Sequence, residues 1–109
     1  MAHFARVENG IVTDVVVVAN EHEANGNEYL NDLGLVGTWV QTSYNSNIRG
    51  KFASVGDIYD AEEDLFKPEK RHPSWVWNAT IWNWDAPFPA PAEEGYRWDE
   101  DTMNWVAYA

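Results

Sequence analysis

Hydrophobic positions follow three different patterns along this chain, and each predicts a different kind of element. Residues 4–7 and 11–18 are rich in β-branched and aromatic side chains and flank Glu8-Asn9-Gly10. Asn-Gly tolerates positive φ at both places, which matches the twist of paired strands, so residues 1–19 predict a β-hairpin. Its second strand contains Val15-Val16-Val17-Val18, a run that does not alternate with polar residues. Such a run predicts a strand covered on both faces, and what covers it is a first pointer to a partner. Val15 and Val17 are interface candidates on this ground.

Helical spacing appears only once. Tyr29, Leu30 and Leu33 repeat at helical intervals, Glu21 and Glu23 suit the positive end of a helix dipole, and Asn20 is placed to cap it. One helix is predicted over about residues 20–34, weakened near Gly26 and ended by Gly34. Residues 37–44 predict another strand, residues 45–47 a polar loop, and residues 48–55 fit no single pattern.

From Gly56 a third pattern takes over. An aromatic residue is followed by Asp or Asn, five further residues and a second aromatic: Tyr59-Asp60 to Phe66, Trp77-Asn78 to Trp84, and Trp98-Asp99 to Trp105. Each unit predicts a short hairpin, with Asp60, Asn78 and Asp99 opening turns over residues 61–64, 79–82 and 100–103. Short polar side chains suit that place because they bond backbone N–H groups. Proline-rich links, residues 68–73 and 87–91, separate the units as extended spacers or bends. A lone hairpin is marginal in water, so the units must stack on each other, on the N-terminal part or on another chain.

The fold class predicted is therefore mainly β with a minor α part: an N-terminal hairpin, one short helix, then Trp-rich antiparallel hairpins joined by Pro-rich links. Its 109 residues suit a single small domain. Within it, residues 1–55 form the hairpin–helix–strand part and residues 56–109 the three repeats.

Charge and composition narrow the function. Eighteen acidic and seven basic residues give a net charge of −11, which argues against binding nucleic acid or an anionic membrane. Without cysteine there are no disulfides, thiolate metal sites or thiol catalysis. No signal peptide is expected from the opening residues, and the longest apolar stretch is too short to span a bilayer. His3, His22 and His72 have no metal-ligand spacing, and no nucleophile elbow or phosphate-cradling loop occurs. The expectation is a non-enzyme with no cofactor and no metal. Asp99-Glu100-Asp101 with Asn104 carries oxygens that calcium would accept, but lacks the glycine and distal Glu of an EF-hand, and reads as a solvated turn, as does the Asp60 turn.

Six of the seven tryptophans lie between Trp75 and Trp105. In Trp75-Val76-Trp77 and Trp82-Asn83-Trp84 the rings at i and i+2 share a strand face, which predicts a four-tryptophan ladder. That ladder is either a core face or a flat platform for a sugar ring, a proline-rich segment or a partner protein. Trp75, Trp77, Trp82 and Trp84 are the ligand or interface candidates, with Asn78, Asn83 and Asp85 as polar neighbours.

The segment from Trp39 to Arg49, WVQTSYNSNIR, resembles the central motif of small proteins encoded by marine and freshwater tailed bacteriophages, cyanophages included. Those chains share an opening like Met-Ala-His-Phe-Ala before an Asn-Gly hairpin and an acidic turn as at Tyr59-Asp60. They also share a Pro-Ser-Trp as at Pro73-Ser74-Trp75 and a final Trp-Asp-x-x-Thr-x-x-Trp as at Trp98 to Trp105. The chain departs from them in its proline links and at Trp77-Asn78-Ala79-Thr80, where the family turn is more acidic. Tyr44 and Arg49, inside the motif, complete the interface candidates. The resemblance implies a virion protein, made in the host bacterial cytoplasm, that docks on a phage capsid or tail protein, with capsid decoration ahead of a tail part. Self-association also stays open. The alternatives are a glycan-binding module of a fibre and an acidic mimic of DNA that acts as an inhibitor.

Overall fold

A computed structural model describes residues 1–108, which fall into two compact units, Met1–Glu69 and the chain from Lys70 onward. The described residues form a mainly β structure, with nine strands in antiparallel sheets and one short helical segment.

In the first unit β1 (Ala2–Glu8) and β2 (Ile11–Val18) make the N-terminal hairpin. Its turn is Asn9-Gly10, with φ of +53° and +80°, the conformation that keeps two twisted strands in register. A bulge shifts the pairing between Arg6 and Val7. β3 (Thr38–Thr42) pairs with the other side of β1, and the sheet continues past β2 to β4 (Ile58–Asp60) and β5 (Leu65–Lys67). The first aromatic hairpin thus extends the N-terminal sheet instead of joining the other two, and the division of the chain falls after Glu69 rather than at residue 55. Phe66 explains the placement: it is fully buried against Ala5, Val12 and Ala53.

Each face of this sheet carries one apolar cluster. Ala2, Phe4, Val18, Leu30 and Trp39 pack together with Val16 and Tyr29; Ala5, Val12, Ala53 and Phe66 pack with Val7, Val15, Val40 and Tyr59. Two-sided packing is why the valine run does not alternate. The expected cover is incomplete, however, because Val17 is 53% exposed. β4 reaches β2 only at its start: Ile11 pairs with Ile58, and Val12 exchanges backbone bonds with Asp57 and Gly56.

The helical segment has two pieces, a 3₁₀ turn over Asn20–Asn25 and α1 (Gly26–Asp32). Asn20 does not cap it; Ala19 holds that place and no side chain bonds the free N–H groups. Gly34, at φ +93°, ends the helix: Leu35 N–H donates to Leu30 C=O and Gly34 N–H to Asn31 C=O, both at 3.0 Å. Gly26 has a packing reason to be glycine. A Cβ there would lie 2.1 Å from Phe4 Cζ.

The ambiguous stretch before β4 is an irregular loop knit by side chains. Thr42 Oγ1 accepts the Ala53 N–H, Lys51 pairs with buried Asp57, and Arg49 C=O accepts the Phe66 N–H.

The second unit contains β6 (Val76–Asn78) with β7 (Asn83–Asp85), and β8 (Tyr96–Asp99) with β9 (Asn104–Ala107). The aromatic repeat marks cross-strand partners in all three hairpins: Tyr59 with Phe66, Trp77 with Trp84, Trp98 with Trp105. Every turn has four residues, and the fourth is left-handed: Asp64, Trp82 and Met103 have φ between +51° and +58°. Asp60 Oδ1 accepts the Glu63 N–H and Asn78 Oδ1 the Thr80 N–H, while Asp99 accepts the Thr102 hydroxyl.

Charged groups brace these turns. Buried Lys67 donates to Asp60 at 2.9 Å and Glu63 at 3.3 Å. Burial alone would lower the Lys67 pKa, but the two carboxylates outweigh it and raise it. Four carboxyls lie below their ordinary values: Asp14 through the hydrogen bond from Arg6, Asp60 through Lys67, Asp64 through Tyr59 and then Arg49, and Glu100 through Trp98 and then Ser74. The unfolded chain therefore binds more protons than the folded one at acid pH. Stability from these groups is present above the ordinary values of 3.8 and 4.5 and is lost as pH falls below them and through the lowered values of the folded chain. Urea midpoints measured from about pH 7 to about pH 3 will fall on the acid side, and Asp64→Asn will flatten part of that fall. A midpoint independent of pH in this range would contradict the assignment.

Candidate functional site

The candidate tryptophans do not form one ladder. Strands β6 and β7 are only three residues long, so Trp75 and Trp82 fall outside them. Trp77 and Trp84 meet across the hairpin at 5.3 Å and 68°, and Trp82, at the left-handed turn position, sets its ring edge to face on Trp77 at 5.1 Å and 82°. Lys70 Nζ lies 4.8 Å from the Trp84 ring centre. These three rings present edges and faces in turn, not the shared plane on which a sugar ring would lie flat.

Trp75 goes to the third hairpin. Its ring lies 6.2 Å from Trp98 and 6.4 Å from Trp105, with His72 at 4.8 Å. Glu100 fixes that arrangement: its carboxylate accepts the Ser74 N–H at 3.0 Å, the Ser74 hydroxyl at 2.7 Å and Trp98 Nε1 at 2.8 Å. Glu100 is thereby turned onto the protein and away from any pooled set of turn oxygens. Phe88 joins the cluster: its ring meets Trp98 at 5.5 Å and its carbonyl accepts Trp105 Nε1 at 3.0 Å. Trp98 is buried, and Trp75 and Trp82 keep buried Nε1 groups without an acceptor among the described residues. An unmade indole bond costs about 1–3 kcal/mol. Most of this aromatic set serves the packing of the second unit.

The candidates of the first unit meet differently. His3 is the cross-strand partner of Val17, its ring is stacked on Tyr44 at 6.1 Å and 29°, and Phe52 meets both rings edge on. Tyr44 is 71% exposed and Val17 53%. Beside them a groove of about 230 Å³ is lined by Met1, His3, Glu23, Tyr44 and Ile48, among others. Val15 is half-buried in the second cluster and offers little side-chain surface.

Arg49 is a brace. At φ +53° it donates to Asp64 Oδ1 at 2.8 Å and to Gln41 C=O at 3.1 Å. Sequence reasoning missed His3 and Phe52, which hold the Tyr44 ring. Alternation in β1 carries the signal for His3, since Ala2 and Phe4 are buried on the opposite face.

Among the described residues no group of three His, Asp or Glu side chains is placed to hold a metal ion, and no helix is long and apolar enough to cross a membrane. No protein-family model, curated protein or solved structure matches the chain.

Proposed function

We propose that this chain is a non-enzymatic structural or accessory protein of a tailed-phage virion, docking on a capsid or tail protein to stabilise the particle, with capsid decoration ahead of a tail component. The observation that carries this reading lies in residues 39–49, the segment most like the phage proteins. There Arg49 ties the loop to Gln41 and Asp64, and Tyr44 stands exposed with its ring stacked on His3, the cross-strand partner of the exposed Val17. An exposed aromatic on a rigid base suits the centre of a protein interface, where a few buried rings carry most of the affinity. Salt screens the chain's many charges, so apolar burial is the term left to hold such a contact.

The test is composition. Phage particles purified through a density gradient and analysed by mass spectrometry will contain this chain in a fixed ratio to a capsid or tail protein. Tyr44→Ser will reduce its retention about tenfold or more. Absence from intact particles would end the proposal.

A further inference from the structure

Two stretches of the five-stranded sheet lack a neighbouring strand on one side, β3 and the part of β2 that β4 does not reach, and they are treated differently. On β3 half of the outward groups are taken, the Trp39 N–H by Asn27 Oδ1 at 2.8 Å and the Gln41 C=O by Arg49 at 3.1 Å, and just before the strand Asn31 bonds both the N–H and the C=O of Gly37. A further strand on that edge would have to displace the Asn27 and Arg49 side chains.

Those same bonds fix the hydrogen-bonding phase of the whole sheet. Trp39 and Gln41 turn their backbone away from β1, so their partners Arg6 and Phe4 bond β2 instead. Opposite these, Asp14 and Val16 turn towards β1, and Val15 and Val17 turn their N–H and C=O groups outward. β4 stops at Ile11 and Val12. Among the described residues nothing else bonds the backbone of Val15 or Val17. Two donors and two acceptors stand in a row beside a half-exposed valine side chain, which is a template for a further strand.

We infer that the docking partner adds a strand to the β2 edge at Val15 and Val17, and that this strand carries lysine or arginine. The inference rests on the docking role proposed above and names its place and chemistry. Charge selects the occupant. The first unit has twelve acidic and four basic side chains. All four bases are held in ion pairs, Arg6 with Asp14, Arg49 with Asp64, Lys51 with Asp57 and Lys67 with Asp60. Glu8, Glu23, Glu28, Asp32 and Glu62 remain exposed, with no lysine or arginine of this unit left for them. A second copy of so acidic a chain would be repelled, whereas a basic segment is attracted and oriented.

Amide exchange followed by NMR tests this on the intact protein. In the free protein the Val15 and Val17 amides will exchange fast and those of Val16 and Val18 slowly. A peptide of about eight residues alternating lysine and valine will slow exchange at Val15 and Val17 about tenfold or more. It will bind about tenfold tighter at low salt than its glutamate–valine counterpart. Val17→Pro, which removes one outward donor and no bond to β1, will lower that affinity about tenfold. Val17→Thr, which keeps the donor, will retain the protection. Slow exchange of both amides in the free protein, equal binding of the acidic peptide, or protection that falls on β3 would each overturn the inference. Particle composition is read separately, so failure here leaves the virion reading standing and the converse also holds.

Discussion

Gly26→Ala will destabilise the protein by about 3 kcal/mol, the upper end of the cost of forcing an extra methyl into a filled core. Helix propensity alone says the opposite, since alanine is better than glycine inside a helix by about 1 kcal/mol. The backbone raises no objection, because Gly26 has ordinary helical angles, φ −56° and ψ −41°. The objection is the Phe4 ring, three of whose carbons would lie within 2.6 Å of the new Cβ. That ring cannot retreat, because it is 5% exposed and packed among Ala2, Val18, Leu30 and Trp39. Urea unfolding will show the loss, and a double-mutant cycle will assign it. In a Phe4→Leu background the same Gly26→Ala change will cost about 1 kcal/mol or less, a coupling of the size found between touching core residues. An unchanged or raised midpoint for Gly26→Ala alone would refute the contact.

Trp98→Ala will cost the second unit about 3–5 kcal/mol, the range for removing a buried large aromatic. Trp98 is 7% exposed and touches Trp75, Phe88 and Trp105 at 5.4–6.2 Å between ring centres. Each edge-to-face pair adds about 0.5–1.5 kcal/mol beyond the area it buries. The change also removes a donor to Glu100, the carboxylate that ties Ser74 to the third hairpin. Near-UV circular dichroism will lose the bands of the coupled indoles. Trp98→Phe, which keeps a ring and loses only the indole N–H, will retain most of the stability. Equal stability of Trp98→Ala and the parent would mean that the second unit is held by something other than this cluster.

The aromatic hairpins were legible in the sequence because their contacts are local. Tyr59 with Phe66, Trp77 with Trp84 and Trp98 with Trp105 are each seven residues apart, so one spacing fixes both the turn length and the partner. Which hairpin stacks on which was not legible. Trp75 has the alternation of a strand residue, yet it packs on the third hairpin because Glu100 draws Ser74 there. Phe66 likewise belongs to the first sheet for reasons that lie in Ala5 and Ala53. Alternation tells which side of a strand is apolar and is silent on what lies against it.

The candidate surface shows the same division. Tyr44 and Arg49 stand five residues apart in one motif, and the structure gives them opposite roles, because the bonds from Arg49 to Gln41 and Asp64 cross 8 and 15 residues. Val15 and Val17 were singled out for an unbroken valine run. What distinguishes them is the phase of a backbone ladder, marked by the Asn27 and Arg49 side chains that bond β3 from other elements, which no local pattern records.

The seven-residue spacing also sets an order of assembly. Closing so short a loop carries little entropic cost, and hairpins of this kind form in about 1–10 μs. The β1–β3 ladder joins Ala5 to Val40, 35 positions away, and cannot form until the helical segment between them has turned the chain back. Each aromatic pair can therefore close its own hairpin before the long-range ladder exists. When the whole chain refolds, the aromatic pairs would then be among the earliest contacts made, together with the two-residue turn between β1 and β2.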